Sequence, residues 1–249
     1  MDDLDTLVRR VDEDRWLASR FAPEQVRQAL IALYAVNYEI AHTAEAAREP
    51  ALGDIRREWW RQALEEIAEG KAPRSHPALT ALCASPRAME VARIMMGVAE
   101  TRASDSEAAR FKTWEALETY VAGTARALMV AASDIASAGL DSGEGQRFLD
   151  FAARAWAYCG LLRAQTFWQA RGRSFIPEGA TLAEMSERAQ SAYSGAKVLS
   201  VSLPAEGFPA LGYVALVPGY LRVLARNKRE TALILRQARL VAASATGRL

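Results

Sequence analysis

Pro23-Glu-Gln-Val-Arg-Gln-Ala-Leu-Ile-Ala-Leu-Tyr-Ala-Val-Asn-Tyr-Glu-Ile-Ala-His-Thr-Ala-Glu-Ala-Ala-Arg48 is the stretch around which the rest of the chain has to arrange itself. Proline stands where a first helical turn needs no amide donor, and neither proline nor glycine follows before Arg48. One long helix is expected. Val26, Leu30, Leu33, Ala41 and Ala44 recur on one side, and Ala29, Val36 and Ile40 widen the stripe until most of the circumference is apolar or small. A helix of that kind belongs inside a bundle, with neighbours on several sides.

Outward from it, the pattern stays helical in both directions. Residues 3–19 read as one short helix with Leu4, Leu7, Val8, Val11 and Trp16 at helical spacing, turned into the long one by Ser19-Arg20-Phe21-Ala22. Pro50 ends the long helix, because proline disfavours a helical residue before it. A helix over 52–69 follows, with Ile55, Trp59 or Trp60, Ala63 and Ile67 as its buried stripe and Gly70 as its stop. Shorter helices are expected near 77–84 and 86–103, and a longer one from Trp114 to Ile135. Its small-residue centre, Ala122-Gly123-Thr124-Ala125, suggests close helix contact or a cavity wall, since glycine inside a helix costs about 1 kcal/mol against alanine. Residues 146–170 form a second long apolar helix through Phe148, Phe151, Ala155, Trp156, Cys159 and Leu162. Further helices are expected near 181–197, near 208–226 with a bend at Pro218, and near 229–243. No alternating strand pattern bounded by hairpin turns occurs, so the expected class is all-α, a single helical domain over 1–249 packed around a central cavity.

Composition narrows the function classes. An apolar fraction of 51% with 24% charged residues is that of a globular chain with a sizeable core, and a net charge of +1 gives no global attraction to nucleic acid. The charge is unevenly spread: residues 1–70 hold fifteen acids against nine arginines, while 220–249 hold seven Lys and Arg against Glu230 alone. Cys83 and Cys159 make no Cys-x-x-Cys set, which fits a reducing compartment and no zinc site. The acids Asp2, Asp3 and Asp5 do not read as a secretory signal. The longest uncharged run, Gly207 to Leu221, is shorter than the roughly 20 residues a spanning helix needs and is broken by Pro209 and Pro218, so no spanning helix is expected. The expected location is cytoplasmic.

Four segments carry a family resemblance: Leu33-Tyr34-Ala35, Ile55-Arg56-x-x-Trp59-Trp60, Tyr120-Val121-Ala122-Gly123-Thr124, and Gly172-Arg173-Ser174-Phe175-Ile176-Pro177. In this order and spacing they resemble the squalene/phytoene synthase family, over roughly residues 14 to 226. That resemblance implies an isoprenoid-synthase-like bundle whose active members join two prenyl diphosphates head to head. Their Mg²⁺ ions absorb the leaving group's charge and take hard oxygen ligands from aspartates on two facing helices. Laid on the family pattern, the first aspartate cluster falls on Ala41, His42 and Glu45, and the two aspartates of the second fall on Ala164 and Trp168. The resemblance therefore implies a member that keeps the fold without catalytic residues, resident metal or cofactor. It is similar to the branch whose best-known representative is a mitochondrial assembly factor for respiratory complex I. Tyr34, Asn37, Tyr38, Arg163, Trp168 and Arg173 are its candidate cavity residues, and the implied partners are a respiratory-complex subunit or an isoprenoid lipid. The alternative is an active prenyltransferase that binds Mg²⁺ through an atypical set such as Glu39, Glu45 and Asp134.

Single residues read more plainly. His42 is expected to be a hydrogen-bonded core residue, since no second histidine lies near it, and His76 before Pro77 is given no role. Trp156 and Trp168 are expected to fill core volume, which predicts a narrowed cavity. Arg163, on an apolar helix, needs a carboxylate or water; an internal ion pair and an anion-binding role both fit. The basic section with Arg222, Arg226, Lys228 and Arg229 is either a solvated helix end or a peripheral contact on the inner face of the cytoplasmic membrane.

Overall fold

The computed structural model describes residues 2–46, 50–107, 111–202, 204–226 and 231–247, without the side chains of 2, 44–46, 50, 106, 107 and 202. The chain opens with α1 (Asp2–Val11), α2 (Glu13–Ser19), α3 (Glu24–Ala46), α4 (Pro50–Ala68), α5 (Pro77–Cys83), α6 (Ala88–Thr101) and α7 (Ser104–Glu107). It continues through α8 (Trp114–Val121), α9 (Ala127–Ile135), α10 (Gly143–Gln169), α11 (Leu182–Leu199), α12 (Phe208–Leu211), α13 (Val217–Leu224) and α14 (Leu233–Thr246). Among the described residues there is no strand, and the fold is all-α.

Two compact units are present. The first holds α1 to α7, α9 and Glu206–Ala210. Here α3 takes the central place expected of it: Leu30, Ala32, Leu33, Ala35, Val36 and Ile40 keep no exposed surface, with α1, α2, α4, α5 and α9 packed around them. The first expected helix is two, because Asp12 leaves helical geometry at φ −146°, ψ 59° and its carboxylate holds Arg15 at 2.5 Å. Pro50, expected as a stop, is the first residue of α4, a position whose amide has no helical partner anyway. The buried stripe of α4 keeps Trp60, Ala63 and Ile67 of the expected one and adds Leu64, whereas Ile55 is 65% exposed and Trp59 37%.

The second unit holds α8, the turn after it, α10, α11 and the chain from Leu211 onward. Its main contact is α10 against α11, where Gly195 comes so close to the Phe151 ring that an added Cβ would lie 2.8 Å from it. A reciprocal cap starts α11: the Glu184 amide donates to Thr181 Oγ1 at 3.2 Å, and the Thr181 amide donates to Glu184 Oε2 at 2.7 Å. The expected 114–135 helix is interrupted by a π-helical turn over Ala122–Arg126. Thr124 Oγ1 donates to the Tyr120 carbonyl at 2.6 Å, while Arg126 reaches Asp150 Oδ1 at 2.5 Å and Gln146 Oε1 at 2.6 Å. The expected bent helix over 208–226 is α12, a 3₁₀ stretch Gly212–Leu216 and α13, with Pro218 in the first turn of α13 rather than at a bend. By length and composition Ala205–Leu224 would cross a membrane, but it is divided among these pieces and 67% of its apolar window is buried.

Tyr158 on α10 is 1% exposed and donates to Glu118 Oε1 at 3.4 Å. Burial first, and the Glu118 carboxylate second, push its hydroxyl up from the usual 10 to about 12. The neutral phenol is favoured by folding, so the stabilisation is complete below pH about 10 and is lost as pH rises through about 12. Tyr158→Phe is expected to abolish a fall of about 2–3 kcal/mol across that window, seen as a flatter pH dependence of the urea midpoint.

Candidate functional site

The family-matched residues fall on one helix in each unit. On α3, Tyr34 is buried at 1% exposure with the Arg15 guanidinium 5.7 Å from its ring centre. One turn later Asn37 and Tyr38 are half-buried, and the Tyr38 ring stacks on His42 at 5.3 Å with 14° between planes. Ala41 is half-buried beside them, and the Glu45 side chain lies outside the described residues. His42 is thus half-buried rather than a core residue. With Glu39, Thr43, Ile55, Arg56, Trp59 and Trp60 it lines a groove of about 370 Å³ whose surface is mostly apolar.

His76, to which the sequence assigned nothing, supports that groove from behind. Its Nδ1 accepts from the Ala78 amide at 3.2 Å, capping α5, and its ring stands edge-on to Trp60 at 4.8 Å. The signal was present as a polar side chain directly before a proline that opens a helix. Arg74 closes the other side of Trp59, 5.4 Å from its ring centre, while its guanidinium bridges both Glu66 oxygens at 2.9 Å. That pairing holds the Glu66 carboxyl below the usual range.

On α10, the Arg163 guanidinium lies 3.8 Å from the centre of the Tyr220 ring, supplied by α13. The aromatic face was not among the partners expected for Arg163, because cation–π contacts leave no trace in local sequence. Ala164 is half-buried next to it. Trp168 is half-buried against Phe175 at 4.9 Å, and Phe175 in turn meets Phe111 at 5.8 Å and Tyr120 at 5.9 Å. Arg173 is half-buried two residues before Phe175. Trp156 is half-buried and packs edge-on to Tyr213 at 4.7 Å.

Chemically, the α10 side offers guanidinium groups set among aromatic rings, which suits recognition of anions and apolar groups. The α3 side offers an apolar groove with a carboxylate, an imidazole and a guanidinium at its edges. Among the described residues no group of three or more His, Cys, Asp and Glu side chains converges on a point that would hold a metal ion. Methyl groups at Ala41 and Ala164, an imidazole at His42 and an indole at Trp168 are not the hard oxygen donors Mg²⁺ takes. Those four side chains do not fit that ion.

Comparison with known proteins adds independent findings. The structure is similar to a dehydrosqualene synthase crystallised with a ligand, at TM-score 0.77 and 14% identity over 98% of this chain and 95% of that one. It is also similar to squalene synthase HpnC from Alicyclobacillus acidocaldarius, at TM-score 0.69 and 19% identity over 99% and 93%. In sequence it is similar to assembly factor 6 of NADH dehydrogenase (ubiquinone) complex I. The Bos taurus protein is 23% identical over 171 residues, 69% of this chain, and the Rattus norvegicus protein 21% over 242 residues. The match spans about half the length of the bovine relative, 51%, and 72% of the rat one. Residues 8–181 match the family model for squalene/phytoene synthase, well over half of the chain. On that match, with an all-α fold shared with a dehydrosqualene synthase and a squalene synthase, the chain belongs to the squalene/phytoene synthase family.

Proposed function

We propose that this chain is a squalene/phytoene-synthase-like protein that works by binding, in the assembly or maintenance of a membrane respiratory complex, and does not condense prenyl diphosphates. The observation that carries the reading is the chemistry at the family's ligand positions, Ala41, Ala164 and Trp168, where no side chain supplies an oxygen. Ionising a prenyl diphosphate without a cation leaves the leaving group's charge unneutralised. Tyr34, Asn37 and Tyr38 of the first unit and Arg163, Trp168 and Arg173 of the second are then recognition residues, for a respiratory-complex subunit or an isoprenoid lipid. The relatives named as complex I assembly factors support the partner class, and a peripheral place at the inner face of the cytoplasmic membrane is proposed with it.

Incubation of the full chain with farnesyl or geranylgeranyl diphosphate and Mg²⁺ is expected to yield no squalene or phytoene. Robust condensation would return the chain to the enzymes, with Glu39, Glu45 and Asp134 as the ligands to mutate first. Capture of the tagged chain from solubilised host membranes is expected to recover respiratory-complex subunits, and recovery of none sinks the assembly half of the reading.

A further inference from the structure

The charge distribution of α14 runs opposite to that of a helix resting on a protein surface in water. Ile234 is 69% exposed, Leu235 61% and Val241 58%, and Ala238, Ala242 and Ala245 are exposed with them. At about 100° per residue these six fall on one arc of the helix. The helix contains no acid and two charges, Arg236 and Arg239. Arg239 points back into its own unit, Nε donating to the Ala215 carbonyl at 3.2 Å and Nη2 to the Tyr193 hydroxyl at 3.1 Å. Leu240 and Ala243 are buried on the same inward side. The arc of Ile234, Leu235, Ala238, Val241, Ala242 and Ala245 therefore carries no charge, and the exposed Arg239 at its edge is tied back to Ala215 and Tyr193.

The surrounding charge says what covers that face. From Gly207 to the last residue of the sequence, Arg222, Arg226, Lys228, Arg229, Arg236, Arg239 and Arg248 stand against Glu230 alone. Arg222 and Arg226 are exposed at and just beyond the end of α13, on the path into α14, while Lys228 and Arg229 lie outside the described residues. A second copy laid on this face would bring the same cations against each other with almost no acid to meet them. A plane of anionic headgroups supplies the missing charge, and the acyl layer beneath it takes up the exposed isoleucine, leucine and valine.

We propose that α14 lies flat in an anionic lipid surface, its Ile234–Leu235–Val241 arc entering the headgroup–acyl boundary while Arg222 and Arg226 meet lipid phosphates. This specifies the contact behind the peripheral placement proposed above and stands or falls apart from the assembly role, because lipid alone tests it.

The full chain is floated with vesicles of phosphatidylcholine and of phosphatidylcholine mixed with phosphatidylglycerol. It is expected to float with the mixed vesicles and to be released by high salt. Ile234→Glu with Val241→Glu is expected to lower partitioning by about a hundredfold, and Arg222→Gln with Arg226→Gln by about tenfold. Far-UV circular dichroism is expected to be unchanged, since these side chains are already in water. Leu52→Glu, at an exposed apolar residue of the first unit outside the groove, is expected to float as wild type. Failure of the wild type to float overturns the proposal, as does unchanged flotation of the double glutamate variant or an equal loss in Leu52→Glu. Sedimentation that reveals a dimer abolished by the double glutamate variant also overturns it, by naming a second copy as the occupant.

Discussion

Leu33→Ala is expected to lower stability by about 3 kcal/mol, within the roughly 2–5 kcal/mol range of buried leucine truncations, and the thermal midpoint by about 6–12 °C. Leu33 has no exposed surface and sits midway along α3, with other helices of its unit packed around that helix. Neighbours held on several sides collapse poorly into a vacated volume, so the cavity contribution adds to the lost transfer energy. Ile234→Ala, on an exposed face, is expected to change stability by less than about 0.5 kcal/mol. Thermal or urea denaturation of the two variants side by side checks the claim, and a loss below about 1 kcal/mol for Leu33→Ala would remove α3 from the centre of its unit.

Gly145→Ala is expected to destabilise by about 2 kcal/mol or more, against the usual sign of a glycine-to-alanine change in a helix. An added Cβ would stand 2.6 Å from the Leu140 carbonyl oxygen and 2.8 Å from its carbonyl carbon, both backbone atoms that cannot rotate aside. Leu140 is held there by Gln146, whose amide donates to that carbonyl at 2.8 Å. Gly160, further along the same helix, has nothing within 4 Å of the built Cβ. Gly160→Ala is expected to stabilise by up to about 1 kcal/mol, because alanine has less backbone freedom to lose. Paired urea titrations read both signs, and a stabilising Gly145→Ala would show that the chain entering α10 is free to move.

Much of the architecture could be read beforehand, and the misses have identifiable causes. The two long helices announced themselves through runs of apolar residues at helical spacing, and α11 lies where a helix near 181–197 was expected. Pro50 satisfied two rules at once, helix stop and first helical position, and the start of α4 on that residue resolved the competition. On α4 only Ile55 of the expected stripe is exposed, and of the two tryptophans the sequence left open Trp60 is the buried one. At the candidate residues the sequence named the side chains but not their partners. His42 stacks on Tyr38 at the edge of a groove, and Arg163 lies on a ring from a helix that comes much later in the chain.

Residue order was enough for the helical class, for the absence of oxygen donors at Ala41, Ala164 and Trp168, and for the basic character of the C-terminal section. These are properties of local spacing and side-chain chemistry, which no packing can alter. That Arg239 of α14 reaches Tyr193 while Ile234 stays in water, that the Leu140 backbone closes on Gly145, and that Tyr220 receives Arg163 became known with the packing. Each depends on which remote atoms arrive beside a residue, and burial and contact distance are set by the folded arrangement rather than by neighbours along the chain.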